Sequence, residues 1–350
     1  MRRKLQDFFL FFRYGFSLKK PLFILRAIKG YLKAYFFQTG PLHYLDIATD
    51  YSCNLRCRHC FAASLKKTQT KMTLEDYRRL AKEAMSLGVI HFSFQGGEAL
   101  LDKNLFEIIK VFEPKKNYIS ITTNGTLLTP EIIFKLKELG VDKLNVSLDS
   151  GLSKEHDEVR GAFGVFQKAI EGIELALKGG LKVSINTVIT HKNLRSLGIK
   201  KLFRWAIDKR LIINPIFACP IGRWKGNENI LLTPNDVKYI NNLKSFSPYL
   251  KRDIDSNWFK QGCGAVKEVL YITPYGEVLP CPFIHLSLGS LKEESLREIL
   301  KEASKLTIFK LYHSQCLVAE NRKFMKEYLK LIENKPLPLN YKETLRWLRR

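Results

Sequence analysis

Six strand-like segments, at 44–49, 92–98, 118–125, 143–149, 182–189 and 211–217, alternate with helix-patterned stretches at 73–87, 130–139, 165–178 and 197–208. Strand, helix and strand in repeating order predict a parallel sheet covered by outer helices. Gly88 and Gly140 stand where two of the helices should end, and Thr73 with Asp76 offers a capping pattern where one should begin. At 350 residues the chain can bury a substantial core. No internal repeat or low-complexity linker stands out, and the expected domain boundary lies around 214–233.

Between the first and second strands, Cys53, Cys57 and Cys60 form a C-x3-C-x2-C triplet. A [4Fe-4S] cube normally takes four thiolates, so a loop giving three leaves one iron open to a small molecule. Zinc usually takes four tetrahedral protein ligands and paired C-x2-C knuckles. His59 could complete such a set, so spacing alone favours a cluster and leaves zinc open. The chain has seven cysteines, an odd number, and shows no secretory signal. Both points argue against disulfides and for a reducing cytoplasm.

The second strand ends in Gly96-Gly97-Glu98, where glycine allows a close backbone approach to a ligand and Glu98 offers a carboxylate. The third ends at Thr123 and Asn124, and the fourth carries Ser147 with Arg160 downstream. Taken singly, Ser147 could cap a turn and Arg160 could solvate a helix end. Taken in order, the motifs resemble those of the radical S-adenosylmethionine (SAM) enzymes. Their cluster loop reads C-x3-C-x-aromatic-C after the first strand, with His59 here in the aromatic position, and their GGE motif follows.

The resemblance implies a partial (β/α)6 TIM-like barrel with its site at the strand C-terminal ends. It implies that Cys53, Cys57 and Cys60 hold a [4Fe-4S] cluster and that Glu98, after Gly96 and Gly97, meets the methionine ammonium of SAM. Ser147 and Arg160 would hold the SAM carboxylate, a task that suits a planar guanidinium. Thr123 and Asn124 would lie near the ribose or the reacting centre, and Asn186 would project toward the same end. Reductive cleavage of SAM would give a 5'-deoxyadenosyl radical that abstracts hydrogen from an unidentified substrate. An electron donor such as flavodoxin or ferredoxin is an implied partner.

Further on, Cys263, twelve residues, Gly276, four residues and Cys281 resemble the first half of a SPASM or twitch auxiliary-cluster domain. The full C-x2-C-x5-C-x3-C run of SPASM is missing, and Cys316 stands alone. One auxiliary cluster is therefore expected, on Cys263, Cys281 and Cys316, with a vacant iron unless Cys219 or a non-cysteine group completes it. Cys219 could equally be a small buried hydrophobe. Four segments follow: a basic, aromatic-rich amphipathic helical extension at 1–42, the core barrel at 43–215, a small α+β auxiliary domain at 216–320 and a basic helical tail at 321–350. The tail is expected to end in a helix over 341–350 and to pack on the N-terminal helices.

Lys and Arg number 58 against 34 Asp and Glu, a formal charge of +24. Residues 1–40 hold nine of the cations, eleven aromatics and only one acid, Asp7. Segments 5–16 and 21–37 are too interrupted to span a bilayer. Basic helices with bulky apolar faces suit the membrane interface, so an anionic membrane surface is an expected partner and a lipid-associated substrate an open reading. The competing reading is that these helices close the open barrel. No recognised nucleic-acid-binding motif accompanies the charge, and nucleic acid is not expected as a partner. A peptide-modifying or cofactor-maturation enzyme is the alternative within the resemblance, and a zinc-binding nucleic-acid module the alternative outside it. The protein is expected in the cytoplasm, peripheral to the inner face of the membrane.

Overall fold

Alternation along each strand decides how the sheet buries itself. In β1 (Tyr44–Asp50) and β2 (His91–Gly96), the side chains of Leu45, Ile47, Phe92 and Phe94 are wholly buried on one face. The same face continues through Ile119 and Ile121 of β3 (Tyr118–Thr123), Leu144 and Val146 of β4 (Lys143–Ser147), Val183 and Ile185 of β5 (Lys182–Ile189), and Ile213 of β6 (Ile212–Phe217). The intervening residues are polar: Asp46, Ser93, Ser120, Thr122, Asn145, Ser184, Asn186 and Asn214. This computed structural model describes residues 10, 13–15, 19–37, 42–65, 70–252, 254, 262–310 and 312–348.

Strands β1 to β6 are parallel neighbours in sequence order, the expected (β/α)6 arrangement. Helices α2 (Leu74–Leu87), α4 (Pro130–Leu139), α6 (Val165–Lys178) and α7 (Leu197–Asp208) fall where the patterning puts them. Thr73 and Asp76 form a reciprocal capping box, and Gly88 and Gly140 end their helices at φ 105° and 87°, a left-handed turn suited to glycine. Patterning misses α5 (Ser153–Arg160), which is short and polar, and it also misses α8 (Pro234–Phe246).

Pro274 lies in the turn of a hairpin formed by β7 (Val269–Ile272) and β8 (Glu277–Leu279). The hairpin does not form a sheet of its own: β7 pairs in parallel with β1, so that Tyr44 faces Val269 and Ile47 faces Ile272. The main sheet thereby gains the hairpin and a short outer strand at Gly289–Ser290, reaching nine strands among the described residues. The pairing covers a backbone edge on β1 that would otherwise seek a partner.

The tail departs from expectation. Its helix at Arg322–Ile332 stacks Phe324 on Tyr328 and sets Phe324 against Trp347, while the Tyr328 hydroxyl accepts from the His285 amide at 2.6 Å. Among the described residues it thus lies on the segment after the hairpin, and the Lys225 ammonium donates to the Ile332 carbonyl at its C-terminal end at 3.0 Å. The 341–350 helix is instead a 3-10 turn at Tyr341–Thr344 followed by a short α segment at Leu345–Leu348, with residues 349 and 350 outside the described set.

At the other end, α1 (Pro21–Phe37) lies beneath the sheet. Phe23, Ile24 and Ala27 pack on Ile90 and Tyr118. Of the Phe-rich 5–16 stretch, only residues 10 and 13–15 are described. Leu10 and Tyr14 are buried, and the Tyr14 hydroxyl donates to the Val183 carbonyl at 3.2 Å. These residues close the strand-start end of the barrel. Lys20 fastens α1 there, donating to the carbonyls of Asn117 (3.0 Å) and Gly140 (2.8 Å) and pairing with the buried Asp142. Burial opposes the charge on both partners, pushing Lys20 down and the Asp142 carboxyl up, with each partner working against that. Asp142→Ala is expected to cost about 3–5 kcal/mol by stranding a buried ammonium, and Lys20→Met with Asp142→Leu to recover most of it. Denaturant unfolding of the three proteins measures this, and a single-variant loss below about 1 kcal/mol would show that the pair does not hold the helix.

Candidate active site

Cys53, Cys57 and Cys60 are free thiols on the loop that leaves β1, above the C-terminal ends of the strands. Neighbours fix this loop at four points. The Glu98 amide donates to the Ser52 carbonyl (2.9 Å), Asn124 Nδ2 to Asn54 Oδ1 (2.8 Å), the Arg58 amide to the Val159 carbonyl (2.9 Å) and the Arg223 amide to the Cys60 carbonyl (3.1 Å). Burial is the first cause that pushes the Cys60 thiol up, and Cys57 adds to it; Cys53 is pushed up to about 11 in the same way. Thiolates crowded into a partly dry loop require a cationic partner, which a metal cluster supplies.

Gly96 and Gly97 are needed by the protein itself. A Cβ on Gly96, at φ 154°, would lie 2.0 Å from the Asp50 carbonyl oxygen, and one on Gly97 would lie 2.2 Å from that of Ser52. The sequence assigns these glycines to a close approach by ligand; the structure uses them to seat the end of β2 on the backbone that enters the cysteine loop. Glu98 differs from expectation in a related way. Its carboxylate is 1 % exposed and accepts from the Thr123 hydroxyl (2.7 Å), the Asn124 amide (2.7 Å) and the Leu100 amide (3.1 Å). Burial raises its carboxyl, and these three donors oppose the rise. Thr123, Asn124 and Glu98 are thus one hydrogen-bonded unit joining the ends of β2 and β3.

Arg160 is brought to Cys57, its Nη1 donating to Sγ at 3.7 Å. Its Nη2 lies 2.8 Å from Asp149 Oδ2, a carboxylate that sequence reading did not single out. Burial is the largest influence and would raise the Asp149 carboxyl, but Arg160, His59, His156 and the Val188 amide together hold it below its ordinary value. The pair is poorly aligned for hydrogen bonding: Arg160 Nε and Asp149 Oδ2 are buried without an aligned partner. His59, in the position where the family carries an aromatic, sits against Trp224 with ring centroids 5.6 Å apart. Burial lowers its pKa to about 4 against the pull of Asp149, 3.6 Å away, so the ring is neutral. Ser147 ends β4 partly exposed, in register with Asn186, whose Oδ1 accepts from Asn214 at 3.0 Å.

Below this end, the inner sheet face carries a polar layer in which Ser93, Asn145 and Ser184 are buried. Ser184 donates to Asn145 (2.7 Å), Asn145 to Thr122 (3.3 Å), and the Ser93 hydroxyl is buried with no partner. Lys143, lowest in the lining, is pulled down to about 8 by burial and then by Lys182, with Asp46 opposing. Barrel interiors are usually packed with branched apolar side chains. Here the inner face is polar instead.

The auxiliary cysteines are all partly buried. The Cys263 amide donates to His313 (2.8 Å), Cys281 bridges to Ile284, and the Cys316 amide donates to Glu320 (2.9 Å). Cys219 is buried, and its thiol donates to the Phe217 carbonyl at 3.5 Å. The Tyr328 hydroxyl is pushed up first by burial, with Cys281 and Cys219 adding to the rise. Among the described residues, no three or more His, Cys, Asp or Glu side chains converge at the spacing of a single ion.

Comparison with known proteins agrees with this chemistry. The radical SAM superfamily profile matches residues 50–197, and that of SPASM, an iron-sulfur cluster-binding domain, matches 263–323. The GTP 3',8-cyclase of Clostridium acetobutylicum is 32% identical over 246 residues, covering 67% of this chain and 74% of its own length. The AdoMet-dependent heme synthase of Methanosarcina barkeri is 29% identical over 282 residues, covering 72% and 80%. Streptococcus suis SuiB bound to S-adenosylmethionine shares the fold, with a TM-score of 0.62 at 18% identity over 90% of this chain and 80% of that one. So does anSMEcpe with bound AdoMet, with a TM-score of 0.62 at 23% identity over 88% and 96%.

The chain belongs to the radical SAM superfamily. It is an enzyme with a SPASM domain, its cofactors are a [4Fe-4S] cluster and AdoMet, and the SPASM region adds the signature of an auxiliary cluster. The zinc-module reading gives way to this one. Gly97→Ala is expected to push the cysteine loop off β2 and to remove at least half of the iron held outside the SPASM region. Iron analysis after anaerobic reconstitution measures it, and full iron retention would show that the loop does not depend on that contact.

Proposed function

We propose that this protein cleaves AdoMet reductively and takes a hydrogen atom from a hydrophilic substrate held in the polar barrel. Cys53, Cys57 and Cys60 would hold the [4Fe-4S] cluster, and Cys263, Cys281 and Cys316 the auxiliary one. The observation that carries the reading is the loop itself: three free thiols fixed from four sides over the strand ends, with the buried Arg160 guanidinium 3.7 Å from Cys57. The donor set fits the cluster, because the thiols need cationic compensation and Arg160 Nε and Asp149 Oδ2 await a polar partner.

Held by Cys53, Cys57 and Cys60, the cluster would supply the single electron needed to cleave the AdoMet sulfonium to methionine and a 5'-deoxyadenosyl radical. The chain's residues do the rest. Arg160, with Ser147 on the neighbouring strand end, meets the methionine carboxylate and is kept charged by Asp149. Glu98 holds Thr123 and Asn124 in place toward the ribose while Gly96 and Gly97 keep the loop seated. His59 and Trp224 form an aromatic cover that limits water at the reacting carbon. Neutral polar side chains orient the substrate below, and close positioning of its C–H bond is the main demand on them.

Relatives named as a heme synthase and a GTP cyclase support a small organic substrate, and the hydrogen-bonding lining agrees with one. A one-electron donor such as flavodoxin or ferredoxin is the natural protein partner. Residues 1–42, basic and aromatic-rich, support attachment to an anionic membrane surface. Among the described residues, no helix is long and apolar enough to cross a membrane.

Reconstitution with iron and sulfide under anaerobic conditions tests the proposal in the native chain and in a Cys53, Cys57, Cys60→Ala variant. About eight irons falling to about four, with 5'-deoxyadenosine formation lost, is the expected result. AdoMet cleavage surviving in the variant would place the cluster elsewhere, and about four irons in the native chain would leave the auxiliary thiols structural.

A further inference from the structure

The outer side of α1 exposes a continuous row of large apolar side chains. Leu22, Leu25, Ile28, Tyr31, Leu32, Tyr35 and Phe36 are each between 47% and 73% exposed. At about 100° per residue they sweep roughly half of the helix circumference, from Tyr31 round to Leu22. Lys29 and Lys33 are exposed along the Leu22 edge of that arc, and the helix contains no acidic residue. Arg26, on the same edge, is instead spent on the barrel, donating to the carbonyls of Val89 (2.8 Å) and Met85 (3.3 Å). The helix is therefore clamped by Arg26, Lys20 and Phe23 with its apolar arc turned outward, and it is not a loose arm that could fold the arc away.

An apolar arc edged by lysines matches the interface of an anionic bilayer, where acyl chains take the bulky side chains and headgroups take the cations. The partners of the clamp fix the direction. Ile90, Asn117, Tyr118, Gly140 and Asp142 lie at the beginnings of β2, β3 and β4, whereas Gly96, Thr123 and Ser147 lie at their ends. A six-residue strand is about 20 Å long. The cysteine loop and the apolar arc are thus at opposite ends of the barrel.

We propose that α1 seats the protein on an anionic bilayer with the strand-start end down, so that the AdoMet site opens to water and its substrate arrives from the aqueous side. This rests on the reading of residues 1–42 as a membrane-facing extension and deepens it: the bilayer is a platform, and a lipid embedded in that same leaflet cannot reach the site. Leu10 and Tyr14 support the assignment, since both are buried and the Tyr14 hydroxyl is held on the Val183 carbonyl at the start of β5.

The test uses the full-length reconstituted protein and sedimentation with large vesicles of phosphatidylcholine alone or mixed with phosphatidylglycerol. Binding is expected only with the mixed vesicles, weakened at least about ten-fold by Lys29→Glu with Lys33→Glu and abolished by Leu25→Asp with Leu32→Asp. Hydrogen exchange on the bound protein should slow within 21–37 and stay unchanged within 51–61. Lack of vesicle binding overturns the proposal, as does binding without anionic lipid or vesicle protection of 51–61. Self-association that the Leu25 and Leu32 changes abolish, without vesicle binding, would assign the face to a second copy instead. Iron content and AdoMet cleavage, read in the same samples, should be unchanged in these variants, so failure of the cluster assignment is visible separately.

Discussion

The contact between the end of β2 and the backbone of Asp50, Tyr51 and Ser52 governs where the three thiols can stand. It is a backbone-to-backbone approach that leaves no room for a Cβ at Gly96 or Gly97, closed by the amides of Gly97 and Glu98 donating to Asp50 and Ser52 at 2.8 and 2.9 Å. The Glu98 carboxylate then turns away from the loop into β3, where Thr123 and Asn124 hold it, and Asn124 reaches back to Asn54. The result is a closed circuit of hydrogen bonds running from the cysteine loop through two strand ends and back. In a low-dielectric setting such a circuit fixes geometry better than its separate links would.

Charge is handled differently at the two ends of the barrel. At the lower end, Lys20 and Asp142 are buried together and serve only to hold a helix in place. At the upper end, Arg160 and Asp149 are buried at a similar separation from water, yet each keeps a polar atom unpartnered. An ion pair whose hydrogen-bonding capacity is filled is structural. One that retains unused capacity beside a set of thiols is poised to receive something.

Much of this was legible in the sequence, and the residues show why. The six strands and four of the covering helices follow from local alternation and capping, which short-range physics dictates. The cysteine loop and the Gly-Gly-Glu turn are contiguous strings, so their spacing survives in one dimension. Asp149 was missed because its partner Arg160 lies across a turn on α5, a short polar helix with no apolar stripe. Glu98 was read as facing ligand because two of its three hydrogen-bond donors, Thr123 and the Asn124 amide, reach it only through folding, from the end of β3. The pairing of β7 with β1 joins segments more than two hundred positions apart, and parallel pairing of that kind leaves no local signature.

That pairing also bears on how the molecule can be taken apart. The SPASM segment contributes the strand that covers one side of β1, the strand from which the cysteine loop departs, and Phe61, next to Cys60, packs edge-on against Phe283, two residues past Cys281, at 5.6 Å. The two cysteine groups therefore share a wall and a sheet and do not occupy modules joined by a linker. Cutting the chain between them, or grafting the barrel onto another auxiliary segment, would uncover β1 and loosen the floor beneath the first loop. Only a recombination that carries β7 along with β1 would keep either centre intact.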